Sequence, residues 1–99
     1  MDYNDIGRSI ALHVQPYLPM HFTAIDVTCD YTGKVKPPVR CNATVEGKSE
    51  TYPMWSTDMH KNLKVDFENF QRVSTKRIIR VHFHCEKNGD FYFKYDYEK

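Results

Sequence analysis

Two histidines, His82 and His84, have the residue type and spacing that most directly suggest chemistry. They lie two residues apart in a segment with strand-like alternation, so both side chains project from the same face of a sheet. Such a pair can hold zinc when a third ligand is near, or act as general acid and base in a small ribonuclease. The strand register predicted below places Lys94 opposite His82, and a cation there disfavours a metal. We therefore interpret both as solvent-side histidines and predict no metal site and no catalytic residue.

The three cysteines show no metal-binding or catalytic spacing. An odd number without a Cys-x-x-Cys motif is typical of reduced thiols in the cytosol. Cys29 and Cys41 come close if Tyr31 pairs with Val39, so a disulfide is conceivable, but buried free thiols are the more common case. The chain also lacks a glycine-rich phosphate loop, Gly-x-Ser-x-Gly and His-Glu-x-x-His. We therefore predict no enzyme activity and no cofactor.

The first half of the chain begins with one predicted helix and two predicted strands. Near the start, apolar residues recur every fourth position, as on the buried face of a helix: Ile6, Ile10, Val14 and Leu18. Asp2 or Asn4 can cap this helix, and Pro16 ends it. Alternating apolar and polar residues over 22–31 and 39–46 then predict the two strands.

A third strand and a second helix follow. A two-residue turn at Gly47-Lys48 places Tyr52 opposite Ala43 in the third strand, which Pro53 ends or marks as a sheet edge. Helical spacing of apolar residues over roughly 57–72 predicts an amphipathic helix. Its outer face is predicted to carry four charged residues: Lys61, Lys64, Asp66 and Glu68.

Residues 77–97 predict a β-hairpin. A two-residue turn at Asn88-Gly89 would send the apolar sets of the two strands to opposite faces of the sheet. A three-residue loop, Lys87-Asn88-Gly89, aligns them if Gly89 is left-handed. This register gives each apolar residue an apolar partner: Cys85 with Phe91, Phe83 with Phe93, Val81 with Tyr95 and Ile79 with Tyr97. The aromatic stripe is therefore predicted to belong to the core rather than to a nucleic-acid stacking platform.

Together these elements predict a single α+β domain over residues 1–99. It contains an antiparallel sheet of about five strands with helices on one face, in the order α-β-β-β-α-β-β. The formal net charge of +1 disfavours strong global attraction to nucleic acid or to anionic membranes. No apolar run is long enough to span a bilayer, and the acidic residues 1–5 do not resemble a secretory signal. A cytoplasmic protein without membrane contact is expected.

The layout combines a leading helix, a meander, a long amphipathic helix and a closing strand with an aromatic residue at every second position. The closing segment is Gly-Asp-Phe-Tyr-Phe-Lys-Tyr-Asp-Tyr at 89–97, and residues 6–18 form the leading helix. In these features the chain resembles the YezG-like family of bacterial immunity proteins. The resemblance implies a protein that binds a cognate toxin domain tightly and has no turnover of its own. The toxin, delivered by a contact-dependent or secreted system, is expected to be a nuclease whose substrate cleft the bound protein covers.

The resemblance directs attention to acidic side chains, because a surface that covers a basic nuclease cleft should be complementary to it. The candidates on the first strands are Asp26, Asp30 and Glu46. Those on the second helix are Asp58, Asp66 and Glu68. Two alternatives remain open: a nucleic-acid-binding module that uses the lysine and arginine clusters, and a small hydrolase that uses His82 and His84.

Overall fold

The computed structural model describes residues 1–99 as a five-stranded antiparallel sheet with two helices on one face. The elements are α1 (Tyr3–Val14), β1 (Phe22–Asp30), β2 (Val39–Val45), β3 (Tyr52–Met54), α2 (Thr57–Val73), β4 (Ile78–Glu86) and β5 (Phe91–Tyr97). The predicted α+β class and element order are confirmed. Neither helix is long and apolar enough to cross a membrane.

Helix α1 begins at a reciprocal cap. The Asp2 carboxylate accepts a hydrogen bond from the Asp5 backbone N–H at 2.9 Å, and the Asp5 carboxylate accepts one from the Asp2 backbone N–H at 3.2 Å. The predicted apolar row of α1 is fully buried up to Val14. The helix then tightens into a 3₁₀ turn, Gln15–Tyr17, because Pro16 lacks the N–H that would continue the α-helical pattern. Leu18, expected to extend the row, lies beyond this turn.

Strand β1 is the centre of the sheet, whose order is β3-β2-β1-β4-β5. Its apolar side chains Ile25, Val27 and Cys29 point toward the helices and are buried. The other side of the sheet, here called the open face, carries no helix. The polar side chains of β1 and β2 on the open face are Asp26, Thr28, Asp30, Arg40, Asn42 and Thr44. Those of β4 and β5 are Arg80, His82, His84, Glu86, Tyr92, Lys94 and Asp96.

The connections around β2 differ from the prediction in detail. Cys29 lies opposite Val39 rather than Cys41, so the register proposed for a Cys29–Cys41 contact is wrong. All three cysteines are free thiols.

The predicted pairing of Tyr52 with Ala43 across β2 and β3 is confirmed, but the two-residue turn is wrong. The Lys48 N–H donates to the Val45 carbonyl at 3.1 Å, and Gly47 occupies the third position of that turn with φ of +76°. Pro53 lies in β3 at the sheet edge, as expected.

The terminal hairpin has the predicted three-residue loop, because the Glu86 N–H donates to the Asp90 carbonyl at 2.8 Å and so closes the loop around residues 87–89, with Gly89 at φ of +98°. The pairs Phe83–Phe93, Cys85–Phe91 and Val81–Tyr95 are confirmed. Tyr97, however, pairs with Ile78 and not with Ile79, because the register shifts between Ile78 and Arg80. Such a bulge adds one residue to one strand and leaves it without a partner.

Helix α2 is capped by Ser56, whose Oγ accepts a hydrogen bond from the Met59 N–H at 3.3 Å. Its apolar face contributes two of the largest fully buried side chains, Phe67 and Phe70. The prediction that Asp66 faces solvent is wrong, since this residue is only 4% exposed. The reason is tertiary: α1 packs beside α2 and covers the aspartate.

Candidate functional site

Asp26, His82 and His84 meet on the open face at the seam between β1 and β4, and are here called the histidine cluster. Asp26 lies directly opposite His84 in the β1–β4 register. His82 Nε2 and His84 Nδ1 each lie 2.7 Å from the same atom, Asp26 Oδ1. All three side chains are half-buried. One carboxylate oxygen from β1 therefore joins two imidazoles from β4.

His84 is held on three sides. Its Nε2 lies 3.0 Å from Glu86 Oε1, and its ring stacks on Tyr92 with the centroids 5.1 Å apart. The hydrogen bonds to Glu86 and then to Asp26 raise the pKa of His84 above its ordinary value. Both imidazole nitrogens can donate at once only in the protonated ring.

Asp26 is correspondingly stabilised as a carboxylate. Burial alone would raise its pKa, but the hydrogen bonds from His84 and His82 outweigh burial and keep the pKa below its ordinary value. The cluster can therefore hold a charged imidazole beside a carboxylate, or exchange the shared protons for a metal ion.

A shallow cleft of about 400 Å³ borders the cluster on the open face. His82 lines it together with three cationic side chains, Arg40, Arg80 and Lys94. The open face also carries four carboxylates, which outnumber these cations: Asp26, Asp30, Glu86 and Asp96. A surface with this balance of charges lacks the excess of positive charge that favours binding to a nucleic-acid backbone.

A second polar constellation joins the two helices. Ser9 Oγ donates to Asp66 Oδ1 at 2.7 Å, and His13 Nδ1 lies 2.6 Å from Asp66 Oδ2. In a catalytic triad the serine contacts the histidine, so that the imidazole can take its proton. Here both side chains contact the aspartate instead, so the group is a clamp between α1 and α2 rather than an activated nucleophile.

The cysteines offer no activated nucleophile either. Burial raises the pKa of the Cys29 and Cys41 thiols to about 12 and raises that of Cys85 above its ordinary value. Nucleophilic cysteines need the opposite shift, because the thiolate is the reactive form.

The six acidic candidates are divided by the fold. Asp26 belongs to the histidine cluster, and the Asp30 carboxylate on the same face accepts a hydrogen bond from the Thr32 N–H at 2.8 Å. Asp58 and Glu68 are exposed on α2, on the other side of the sheet. Glu46 is exposed at the end of β2. Asp66 is buried, so it is not available to a partner.

An exposed aromatic edge is a feature that the sequence analysis missed. Trp55, directly after β3, is 68% exposed, Tyr52 is 52% exposed and Met20 is 81% exposed. Met20 and Tyr52 line one depression with Glu50. We use the name β3 edge surface for the exposed residues that lie along β3 and in the segments beside its two ends: Met20, Glu46, Glu50, Tyr52, Trp55 and Asp58. The sequence feature that could have indicated this surface is the single tryptophan of the chain, which follows a short strand that contains proline.

No protein-family model matches this chain, and no curated protein is significantly similar to it.

Proposed function

We propose that this protein is a bacterial immunity protein that binds a cognate toxin domain in the cytoplasm and occludes its active site, without catalysing a reaction. The observation that carries the proposal is the β3 edge surface. Exposed tryptophan and tyrosine side chains are enriched among the residues that dominate binding energy in protein interfaces. The resemblance of the closing strand to YezG-like immunity proteins favours the same class.

The charge of the β3 edge surface fits a nuclease as the toxin. Glu46 and Glu50 are exposed near the Tyr52 end of β3, Asp58 is exposed beyond its Met54 end, and Lys48 is the cation of the loop between β2 and β3. Acidic groups of this kind complement a basic substrate cleft and speed its encounter with the inhibitor. Glu46 and Asp58 are thus the acidic candidates that best suit this role, since Asp26 and Asp30 are engaged within the chain.

The edge strand constrains how a partner binds. Strand β3 has only three residues, and Pro53 within it has no N–H to donate. A short edge strand with proline resists the addition of another strand. The toxin domain is therefore expected to contact side chains of the β3 edge surface rather than to extend the sheet.

Truncation of Trp55 tests this surface. Co-expression with the product of the adjacent upstream gene should give a tight one-to-one complex that protects cells from that toxin. Trp55→Ala should weaken the complex by about 2 kcal/mol or more, roughly 30-fold in Kd by calorimetry. The matched control is Leu12→Ala, because Leu12 is an apolar residue of similar exposure, 65%, that lies on α1 and is not part of the β3 edge surface.

Two results would contradict the proposal. One is the absence of any complex with the neighbouring gene product at micromolar concentrations. The other is salt-dependent binding of the isolated protein to an oligonucleotide, which would favour a nucleic-acid-binding module instead. Equal affinities of Trp55→Ala and the wild type would place Trp55 outside the interface and would remove the observation that carries the proposal.

A further inference from the structure

We propose that the histidine cluster binds one divalent transition-metal ion, with Zn²⁺ as the ion that its donors fit best. The donor atoms of Asp26, His82 and His84 lie within 4.8 Å of one another. Two imidazole nitrogens and one carboxylate oxygen form a ligand set common in zinc sites with an open position. The cluster lies on β1 and β4, separated from β3 by strand β2, so this site is independent of the proposed toxin interface.

The distances require little rearrangement. In a tetrahedral site with ligands about 2.1 Å from the metal, the donor atoms lie about 3.4 Å from one another. Both nitrogens now lie 2.7 Å from Asp26 Oδ1, so each separation must grow by about 0.7 Å to admit the ion. Rotation of the half-buried Asp26 side chain can widen both of these separations. The two imidazole nitrogens, which lie within 4.8 Å of each other, must also reach a separation of about 3.4 Å by side-chain rotation.

The surroundings orient the ligands. Strands β1 and β4 are both paired on two sides, which fixes the separation between Asp26 and the two histidines. When the imidazole is neutral, its N–H can donate from Nε2 to Glu86, leaving the Nδ1 lone pair directed toward the cluster. A carboxylate behind a metal-ligating histidine is the usual device for fixing its tautomer and orientation. The stacked Tyr92 ring limits rotation of His84 further.

Three protein ligands leave the fourth tetrahedral position free. Structural zinc sites use four protein ligands, whereas a position left to water or to a small ligand is typical of reactive sites. His82 also borders the cleft on the open face, so small molecules from solvent reach the edge of the cluster.

Lys94 is the group that opposes a cation. It pairs with His82 across β4 and β5, and its ammonium lies 5.4 Å from the centroid of the Tyr92 ring. The negative charges of Asp26 and Glu86 favour a bound cation. Removing the charge of Lys94 should therefore tighten metal binding, whereas a purely structural histidine pair would give no such gain.

The experiment uses chelator-stripped protein dialysed against Zn²⁺, with the bound metal counted by mass spectrometry and the affinity measured by calorimetry. One ion per chain is expected. Asp26→Asn and His82→Ala should each weaken binding at least ~10-fold, and Glu86→Gln by about 10–100-fold. Lys94→Gln should tighten it. His60→Ala is the matched control, because His60 lies on α2 and should leave both stoichiometry and affinity unchanged.

Substitution with Co²⁺ supplies a second readout, since a tetrahedral site gives intense visible absorption that histidines in solution do not. The proposal is overturned if stripped protein shows no saturable binding, or if Asp26→Asn binds zinc as tightly as the wild type. If His82→Ala fails to fold by circular dichroism, Glu86→Gln and Lys94→Gln decide the matter. Chelation should leave toxin binding intact, so failure here would not count against the immunity function.

Discussion

Two aspartates that the sequence predicts to face solvent have different surroundings in the structure. Asp26 lies on the open face and contacts two histidines, whereas Asp66 is buried between helices and contacts Ser9 and His13. The strand alternation around Asp26 predicted its face correctly. The helical pattern around Asp66 could not predict its burial, because the outer face of α2 becomes internal only where α1 packs against it.

The cysteine thiols should be unreactive in the folded protein. Since burial raises the pKa of Cys29 and Cys41 to about 12, both remain protonated at neutral pH and are shielded from reagents. We expect Ellman's reagent to modify them orders of magnitude more slowly than free cysteine, and to modify all three cysteines rapidly in denaturant. Fast modification of all three in native buffer would contradict the burial of these residues.

At the scale of elements, Asp66 joins α1 to α2. Asp66→Ala leaves Ser9 and His13 without their partner and should reduce the free energy of unfolding by about 1–3 kcal/mol. Urea denaturation followed by circular dichroism measures the change. Glu68→Ala is the control, because Glu68 is exposed on the same helix. Equal losses in the two variants would mean that the clamp adds nothing to stability.

The contact between α1 and β5 depends on a residue without a side chain. A Cβ built at Gly7 would lie 2.2 Å from Cε2 of Phe91, far inside van der Waals contact. Gly7→Ala should therefore destabilise the fold by about 1–3 kcal/mol, although alanine favours a helix more than glycine does. Thermal unfolding of this variant, compared with Leu12→Ala, measures the effect.

A double variant distinguishes crowding from other causes at this contact. Phe91→Leu shortens the ring that an added methyl group would meet, so Gly7→Ala should cost less in that background than alone. Additive losses would show that Phe91 does not limit the approach of the helix.

The elements also show which parts of the fold the sequence could predict. The terminal hairpin was predictable, because a two-residue turn puts the apolar residues of the two strands on opposite faces, whereas a three-residue loop puts them on one face. The bulge was not, since Ile78 and Ile79 are both apolar and the pattern cannot decide which of them pairs with Tyr97. The turn after β2 was placed wrongly for a similar reason. The pairing of Tyr52 with Ala43 is compatible with Gly47 at more than one position within the turn.

At the scale of the whole molecule, the side chains with a proposed function lie on different surfaces. Helices cover one side of the sheet, the histidine cluster lies on the open face, and the exposed Tyr52 and Trp55 lie on the β3 edge surface. The sequence predicted His82 and His84 as a pair but not their carboxylate, because Asp26 lies 56 residues away from His82 along the chain. The β1–β4 pairing that joins them is a property of the complete sheet rather than of either strand.

That pairing has a consequence for how the chain folds. The hairpins β1–β2 and β4–β5 close through short connections, and each can form from local contacts. The β1–β4 seam instead closes a loop that includes β2, β3 and all of α2, so its entropic cost must be met before its contacts form. We therefore expect the β1–β4 seam, where the histidine cluster lies, to form late in folding, so that an ion bound there would act chiefly on the rate at which the two hairpins separate.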